Sequence, residues 1–279
     1  MSKIRQLAPL LFLLASACVP KAFLLEQPKL VSVYFERKIE KLEKAKSSDL
    51  DSQRLLMRTK VEYGFGIIME QASRLIDEDY KQAMAKYEQA NKIFSEARDS
   101  GILIISKRYP SFNNWLNKEA SIDFNADDMN DIYWLAASIG GCISSSRGDP
   151  FELINLPNVG RLLRTGIDIN PEWGNGSFFS AMISFTTTRS DLNEVMLRDS
   201  VDYYFDKAVL YSNGKDAGPY IAYAESIHKP FQERKNFVDK LNYVIDMENK
   251  PNNEFELTNL LAKSRAKWLL ARTDEYFLE

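Results

Sequence analysis

Residues 80–97 read YKQAMAKYEQANKIFSEA. Tyr80, Ala83, Met84, Tyr87, Phe94 and Ala97 fall on one face at helical spacing. Asp77 and Asp79, just upstream, supply capping carboxylates for a helix start. Within the segment, Ala83, Tyr87 and Ala90 set a small–large–small spacing. The small residues let paired helices touch, and the large one fills the space beside the contact.

The same spacing recurs at Val159/Leu163/Gly166, with Pro171 five residues on, at Val201/Phe205/Ala208 and at Phe237/Leu241/Val244. The intervals are about 76, 42 and 36 residues, against about 34 for the second helix of a tetratricopeptide repeat. A degenerate copy around Trp134 would divide the first interval. Any amphipathic helix yields such a triplet by chance, so the argument rests on four in one chain. They predict an all-α class: stacked helical hairpins, degenerate tetratricopeptide-like repeats in an α–α superhelix. Such arrays leave concave surfaces that bind other molecules.

The remaining elements are consistent with that class. Residues 128–146, DMNDIYWLAASIGGCISSS, are apolar nearly all round from Ile132 to Ile143, as in a central buried helix. Gly140 and Gly141 inside it cost helix stability and mark a close approach by another helix. Further helices are predicted over 30–46, 53–76, 158–169, 176–186, 192–212, 217–227, 230–247 and 254–272. Ser100-Gly101 is read as an interruption and 113–126 as a loop. Leu257, Leu261, Ser264, Trp268 and Ala271 share one stripe of the last helix. No sustained strand alternation follows residue 20.

The chain opens MSKIRQLAPLLFLLASACVPKAF. Lys3 and Arg5 precede an apolar run over Leu7–Leu14, far short of the roughly 20 residues that span a bilayer. Small residues follow, then Cys18. This reads as a lipoprotein signal peptide over 1–17, with Cys18 as the lipidation site. Residues 18–29 form a lipid-anchored tether, and 30–279 a helical repeat domain. Ala15 stands where the bacterial lipobox more often has Leu. A plain signal peptide with an incidental cysteine is the alternative reading. Several acyl chains on one residue would give a durable anchor in the lipid bilayer. Val19 is not the aspartate that holds many enteric lipoproteins at the inner membrane, so an outer-membrane address is somewhat favoured.

Loss of residues 1–17 takes the net charge from −3 to about −5, which offers no basic excess for nucleic acid. Apolar residues make up 45% of the chain, enough for a large core. With Cys18 acylated, Cys142 has no disulfide partner and reads as a small buried hydrophobe. A single histidine, His228, argues against histidine-based metal sites and catalytic triads. No metal site and no cofactor are expected.

Several motifs fail on context. Gly64-Phe65-Gly66 begins a dinucleotide fingerprint, but Met69 takes the third glycine's place and no strand precedes it. Ser226–Lys229 is a formal S-x-x-K without its companion motifs. His228 reads as a favourable contact with a helix C-terminus. Lys263, Arg265 and Lys267 read as the solvated side of the last helix. Trp134, Trp173, Phe178, Phe179 and Tyr204 are numerous aromatics for a scaffold. Most such residues are core, yet they are the candidate lining of an apolar ligand cavity between helices.

Five segments, taken together, resemble a known family: YGFGIIMEQASRLIDEDYKQAMAKYEQANKIF (63–94), IYWLAASIG (132–140), LPNVGRLL (156–163), GPYIAYAESI (218–227) and NLLAKSRAKWLLARTDEYFL (259–278). The chain is similar to the T component of tripartite ATP-independent periplasmic (TRAP) transporters. It departs in having Ser177-Phe178-Phe179-Ser180 where a histidine is expected soon after Gly176. The resemblance implies a periplasm-facing lipoprotein of the cell envelope with cryptic tetratricopeptide-like repeats. It also implies partnership with the periplasmic solute-binding protein, the P component, and a hydrophobic small molecule passed between the two. Apart from the resemblance, a homo-oligomer is left open by the sequence. The competing reading is an envelope adaptor with no ligand. An enzyme is not expected, because no nucleophile–base pair or metal set is present.

Overall fold

The computed structural model describes residues 28–44, 49–250 and 254–278. The signal peptide and Cys18 lie outside these residues. Among the described residues every regular element is helical. The helices are α1 (Pro28–Lys44), α2 (Leu50–Tyr63), α3 (Glu70–Leu75), α4 (Tyr80–Arg108), α5 (Phe112–Leu116), α6 (Met129–Ser145), α7 (Pro150–Leu153), α8 (Leu156–Ile169), α9 (Ser177–Thr187), α10 (Glu194–Tyr211), α11 (Gly218–Tyr223), α12 (Arg234–Asp246), α13 (Glu256–Ala271) and α14 (Thr273–Tyr276). π-Helical turns at Gly64–Met69 and Ala224–His228 join α2 to α3 and extend α11.

Local chemistry sets the helix starts. Asp49, Asp79 and Asn193 each accept a hydrogen bond from a backbone N–H three residues on, at 2.8–2.9 Å. Asn125 and Asp128 form a capping box ahead of α6.

Cross-helix contacts fix the directions. Ser32 meets Gln71 and Glu36 meets Tyr63, so α1 runs against α2 and α3. Gln53 meets Lys107 and Lys60 meets Glu96, so α4 runs against α2. Phe94 lies at Gly141 and Gly101 at Leu135, so α6 runs against α4. Gly160 lies at Phe185 and Gly166 at Phe178, so α9 runs against α8. Glu70 meets Arg265 and Asp77 meets Arg272, so α13 runs in the same direction as α3. The start of α1 and the connection at 76–79 lie at one end of α4, whereas the 146–155 turn lies against the middle of α4, where Asn91 meets Ser145 and Arg98 meets Glu152.

The core forms where these helices meet. α6 packs between α4 and α8 and buries Ile132, Leu135, Ala136, Ile139 and Cys142. Phe94 wedges α2, α4 and α6 together. A Cβ built on Gly64 would fall 2.5 Å from its ring, and one on Gly141 2.4 Å from it. Both glycines are required by close approach, and full burial of the ring contributes about 1.5–3 kcal/mol. All four small–large–small triplets lie at helix contacts: eleven of their twelve residues are buried, and Phe205 is partly buried.

Three expectations change. Ser100-Gly101 does not interrupt a helix, because α4 continues to Arg108. The Met57 sulfur and Leu135 occupy the space a Cβ on Gly101 would need. This packing outweighs the roughly 1 kcal/mol helix cost of glycine. Within 113–126, α5 buries Trp115, which stacks on Phe112 and meets Phe124 edge-on. Gly140, unlike Gly141, meets nothing within 4 Å of a built Cβ.

Candidate functional site

Between α1, the first π-turn, α6, α8, α9 and α13 lies a cavity of about 590 Å³. Such a volume sits within the roughly 300–1,000 Å³ of small-molecule pockets. Its wall is mostly apolar: Val31 and Phe35 from α1, Phe65 and Ile67 from the π-turn, Trp134 and Ile143 from α6, Leu163 from α8, Phe185 from α9 and Leu261 from α13. Glu62 is an acidic residue in this wall. Gly140 completes the α6 portion, and its missing side chain leaves space on the cavity side.

A second cavity of about 510 Å³ adjoins the first and shares Phe65, Gly66, Tyr133, Ala181, Ser184 and Leu261 with it. Its remaining wall is mixed, with Glu70, Arg74, Glu225, Ser264 and Arg265 beside the apolar Ile221, Ala222 and Ala262. Arg265 donates to Glu225 at 2.7 Å, to Glu70 at 3.3 Å and to Ser73 at 3.1 Å. Arg74 donates to Glu70 at 2.7 Å and to Ser264 at 3.1 Å. Burial works against the Arg265 charge, but Glu225 and Glu70 outweigh it and hold its proton more tightly than usual. The set is charge-balanced, so the vestibule offers hydrogen bonds rather than a net field. Burial pushes the Tyr133 phenol up to about 12, so a neutral hydroxyl stands between the two cavities.

Both π-turns serve this site. The first supplies Phe65, Gly66 and Ile67, and the second supplies Glu225. A π-turn shifts the side-chain register by one residue, which re-aims neighbours relative to a plain helix.

Of the five aromatic candidates, the structure brings Trp134 into the wall, with Arg58 5.3 Å over its ring. The others are not among the wall residues of either cavity. Trp173 lies against Tyr133 and Phe178, with ring centroids 5.3 and 5.2 Å away. Phe178 is fully buried against Gly166. Phe179 packs on Tyr211 and Tyr204, and Tyr204 is half-buried beside Ile183 and Val201. Sequence reasoning missed Phe65, Tyr133 and Phe185 as wall residues and Arg265 as a partly buried, ion-paired one. Only Lys267 of the basic trio is exposed. Lys263 instead donates to the Ile245 carbonyl at 2.7 Å and to that of Met247, closing the end of α12.

His228 is buried, and its Nδ1 lies 2.6 Å from a Glu233 carboxylate oxygen. Its partner is thus a side chain rather than a helix end. Burial lowers its proton affinity despite the carboxylate, so the ring is neutral near pH 7 with Nδ1–H donating. Cys142 is buried, and burial pushes its thiol up to about 11. Among the described residues no cluster of three His, Cys, Asp or Glu side chains could hold a metal ion, and no helix is long and apolar enough to cross a membrane.

An uncharacterized protein of Treponema pallidum (strain Nichols) is 21% identical over 236 residues, covering 80% of this chain and 71% of its own. The family model for the TRAP transporter T-component matches residues 28–277, nearly the whole described chain. The chain therefore belongs to the TRAP transporter T-component family, an accessory family of a transport system and not one of enzymes.

Proposed function

We propose that this chain is a lipoprotein accessory of a TRAP transporter, acylated at Cys18, facing the periplasm and docking the solute-binding P component. In this reading it holds a hydrophobic molecule in the cavity between α1, α6, α8, α9 and α13. The observation that carries the reading is the apolar wall itself, which includes Phe65, Trp134, Phe185 and Leu261. Apolar cavities of this size stabilise a ligand by removing its surface from water, at about 25 cal/mol per Å². The adjoining vestibule supports a ligand with one polar end, met by Tyr133, Ser264 and Arg265. The four small–large–small triplets, all at helix contacts, support a protein-docking body of packed helices.

The test is to isolate the acylated protein from native membranes under mild conditions, identify co-eluting proteins and extract small molecules for mass spectrometry. A solute-binding protein and a hydrophobic compound are expected. Gly140→Leu, which projects into the cavity, is expected to lose the compound and keep the fold. Recovery of neither partner nor compound refutes the transport reading and favours an adaptor.

A further inference from the structure

The charged residues in the walls of the two cavities are Glu62 in the first and Glu70, Arg74, Glu225 and Arg265 in the second. Each is already paired. Arg58, which lies over the Trp134 ring, meets Glu62 at 2.7 Å. Arg74 meets Glu70 at 2.7 Å. Arg265 meets Glu225 at 2.7 Å and Glu70 at 3.3 Å. Three guanidinium groups thus face three carboxylates. Among the described residues no lysine lines either cavity.

This balance bears on the head group of a bound amphiphile. A carboxylate or phosphate is held by a cation with hydrogen bonds to spare, most often an arginine fork. Both wall arginines are committed, so an anionic head would leave water, gain no cation of its own and stand among three carboxylates. A charge buried without a partner is costly. A cationic head meets the converse difficulty, since every carboxylate already holds an arginine.

Uncharged hydrogen-bonding capacity is what the vestibule keeps. The hydroxyls of Tyr133, Ser180 and Ser184 belong to wall residues and make no hydrogen bond among the described residues. Both contacts of Arg265 with Glu225 fall on Oε1, which leaves Oε2 without a partner among the described residues. Hydroxyls donate and accept, and a carboxylate oxygen accepts. A hydroxyl or amide head can use both kinds of partner without disturbing an ion pair.

We propose that the site selects its ligand by charge: it takes an amphiphile with an uncharged hydroxyl or amide head, its chain against Trp134 and Leu261, and turns away a carboxylate or phosphate head on the same chain. The inference rests on the hydrophobic-ligand reading given above and adds the head group to it.

The test compares dodecanol, laurate and dodecylammonium, which share one chain length, each below its micellar concentration and near neutral pH. They compete with the neutral dye N-phenyl-1-naphthylamine for the full chain carrying Cys18→Ser, so that no acyl group or detergent enters the cavity. Gly140→Leu places the dye, because filling the cavity is expected to abolish its binding. Dodecanol is expected to displace the dye at a concentration about tenfold below that of either ion, the weight of one uncompensated buried polar group. An alcohol is also less hydrated in water than an ion, so the ratio of laurate to dodecanol across variants decides. Glu225→Gln, which leaves Arg265 with charge to spare, is expected to shift that ratio about tenfold towards laurate. Ser184→Lys, at an exposed position of the shared wall, adds a cation without breaking a pair and is expected to shift it the same way. Laurate or dodecylammonium competing as well as dodecanol on the unmodified wall, or a ratio that neither variant moves, overturns selection by charge and leaves the ligand reading standing. Dye that does not bind, or that binds Gly140→Leu equally well, overturns the ligand reading and this inference with it.

Discussion

Gly140 and Gly141 are adjacent and chemically identical, yet alanine is expected to stabilise the protein at the first position and not at the second. Alanine in a helix interior is favoured over glycine by about 0.8–1.0 kcal/mol. At Gly140 nothing lies within 4 Å of a built Cβ, so the full gain is realised. At about 2–4 °C per kcal/mol for a chain of this size, the midpoint of thermal unfolding rises by about 2–4 °C. At Gly141 the Cβ falls 2.4 Å from Phe94 Cδ1, and Gly64 confines the same ring from its own side. The ring cannot retreat, so α4 and α6 must separate, at an overpacking cost of about 1–3 kcal/mol. After the helical gain, Gly141→Ala is neutral to about 2 kcal/mol destabilising, and the two variants differ by about 1–3 kcal/mol. Urea denaturation followed by far-UV circular dichroism measures both. Phe94→Leu, destabilising alone, is expected to relieve part of the Gly141→Ala loss in a double-mutant cycle. Equal stabilisation by both alanines refutes the wedge and the packing of α6 built on it.

Acid should weaken the fold in a window assignable to one residue. The folded state lowers His228 below its ordinary 6.5 through burial, so the unfolded chain takes up the proton first. Stability is then full above pH 6.5 and falls as pH drops through that value toward the folded-state pKa. Glu233, also lowered in spite of its burial, adds a loss beginning near 4.5. With one histidine in the chain, His228→Gln should remove the upper part of the slope, and an unchanged urea-midpoint profile would refute the assignment. Arg265→Met should cost about 2–3 kcal/mol, below the roughly 3–5 of a fully buried pair, because Glu70 and Glu225 remain about a quarter exposed. Simultaneous Glu225→Gln should recover part of it in the same denaturation assay. Cys142 should resist an aromatic disulfide reagent in the native protein and react in urea, and rapid native labelling would contradict its burial.

The class was readable because α6 is apolar all round and the triplets repeat. Both signals depend on residue type and spacing alone, which a sequence displays in full. The cavity was only partly readable. Trp134 and Phe178 are both large aromatics on helices, and only the packing of other helices decides that one lines a void and the other fills the core. Arg265 sits two residues from each of Lys263 and Lys267, which mimics a solvated face. Its neutralising partners Glu225 and Glu70 are 40 and 195 residues away, beyond any local pattern. α13 also has two working faces: Ala262, Ala266 and Leu269 meet α11 and α12, while Leu257 and Leu261 face the cavity. The π-turns carry no local signature, since GFGIIM and AESIH read as ordinary helix.

The role of α13 has a consequence for the order of assembly. Of the cavity's sides, the one made by Leu257, Thr258 and Leu261 is synthesised after the others, and those made by α1, α6, α8 and α9 must wait for it. A nascent polypeptide is then an open trough, wetted along its length, and shuts only when Arg265 and Arg272 reach back to Glu70 and Asp77. On the proposed reading, loading of a ligand is thereby confined to chains that include α13, and a chain cut short before it would have no closed cavity.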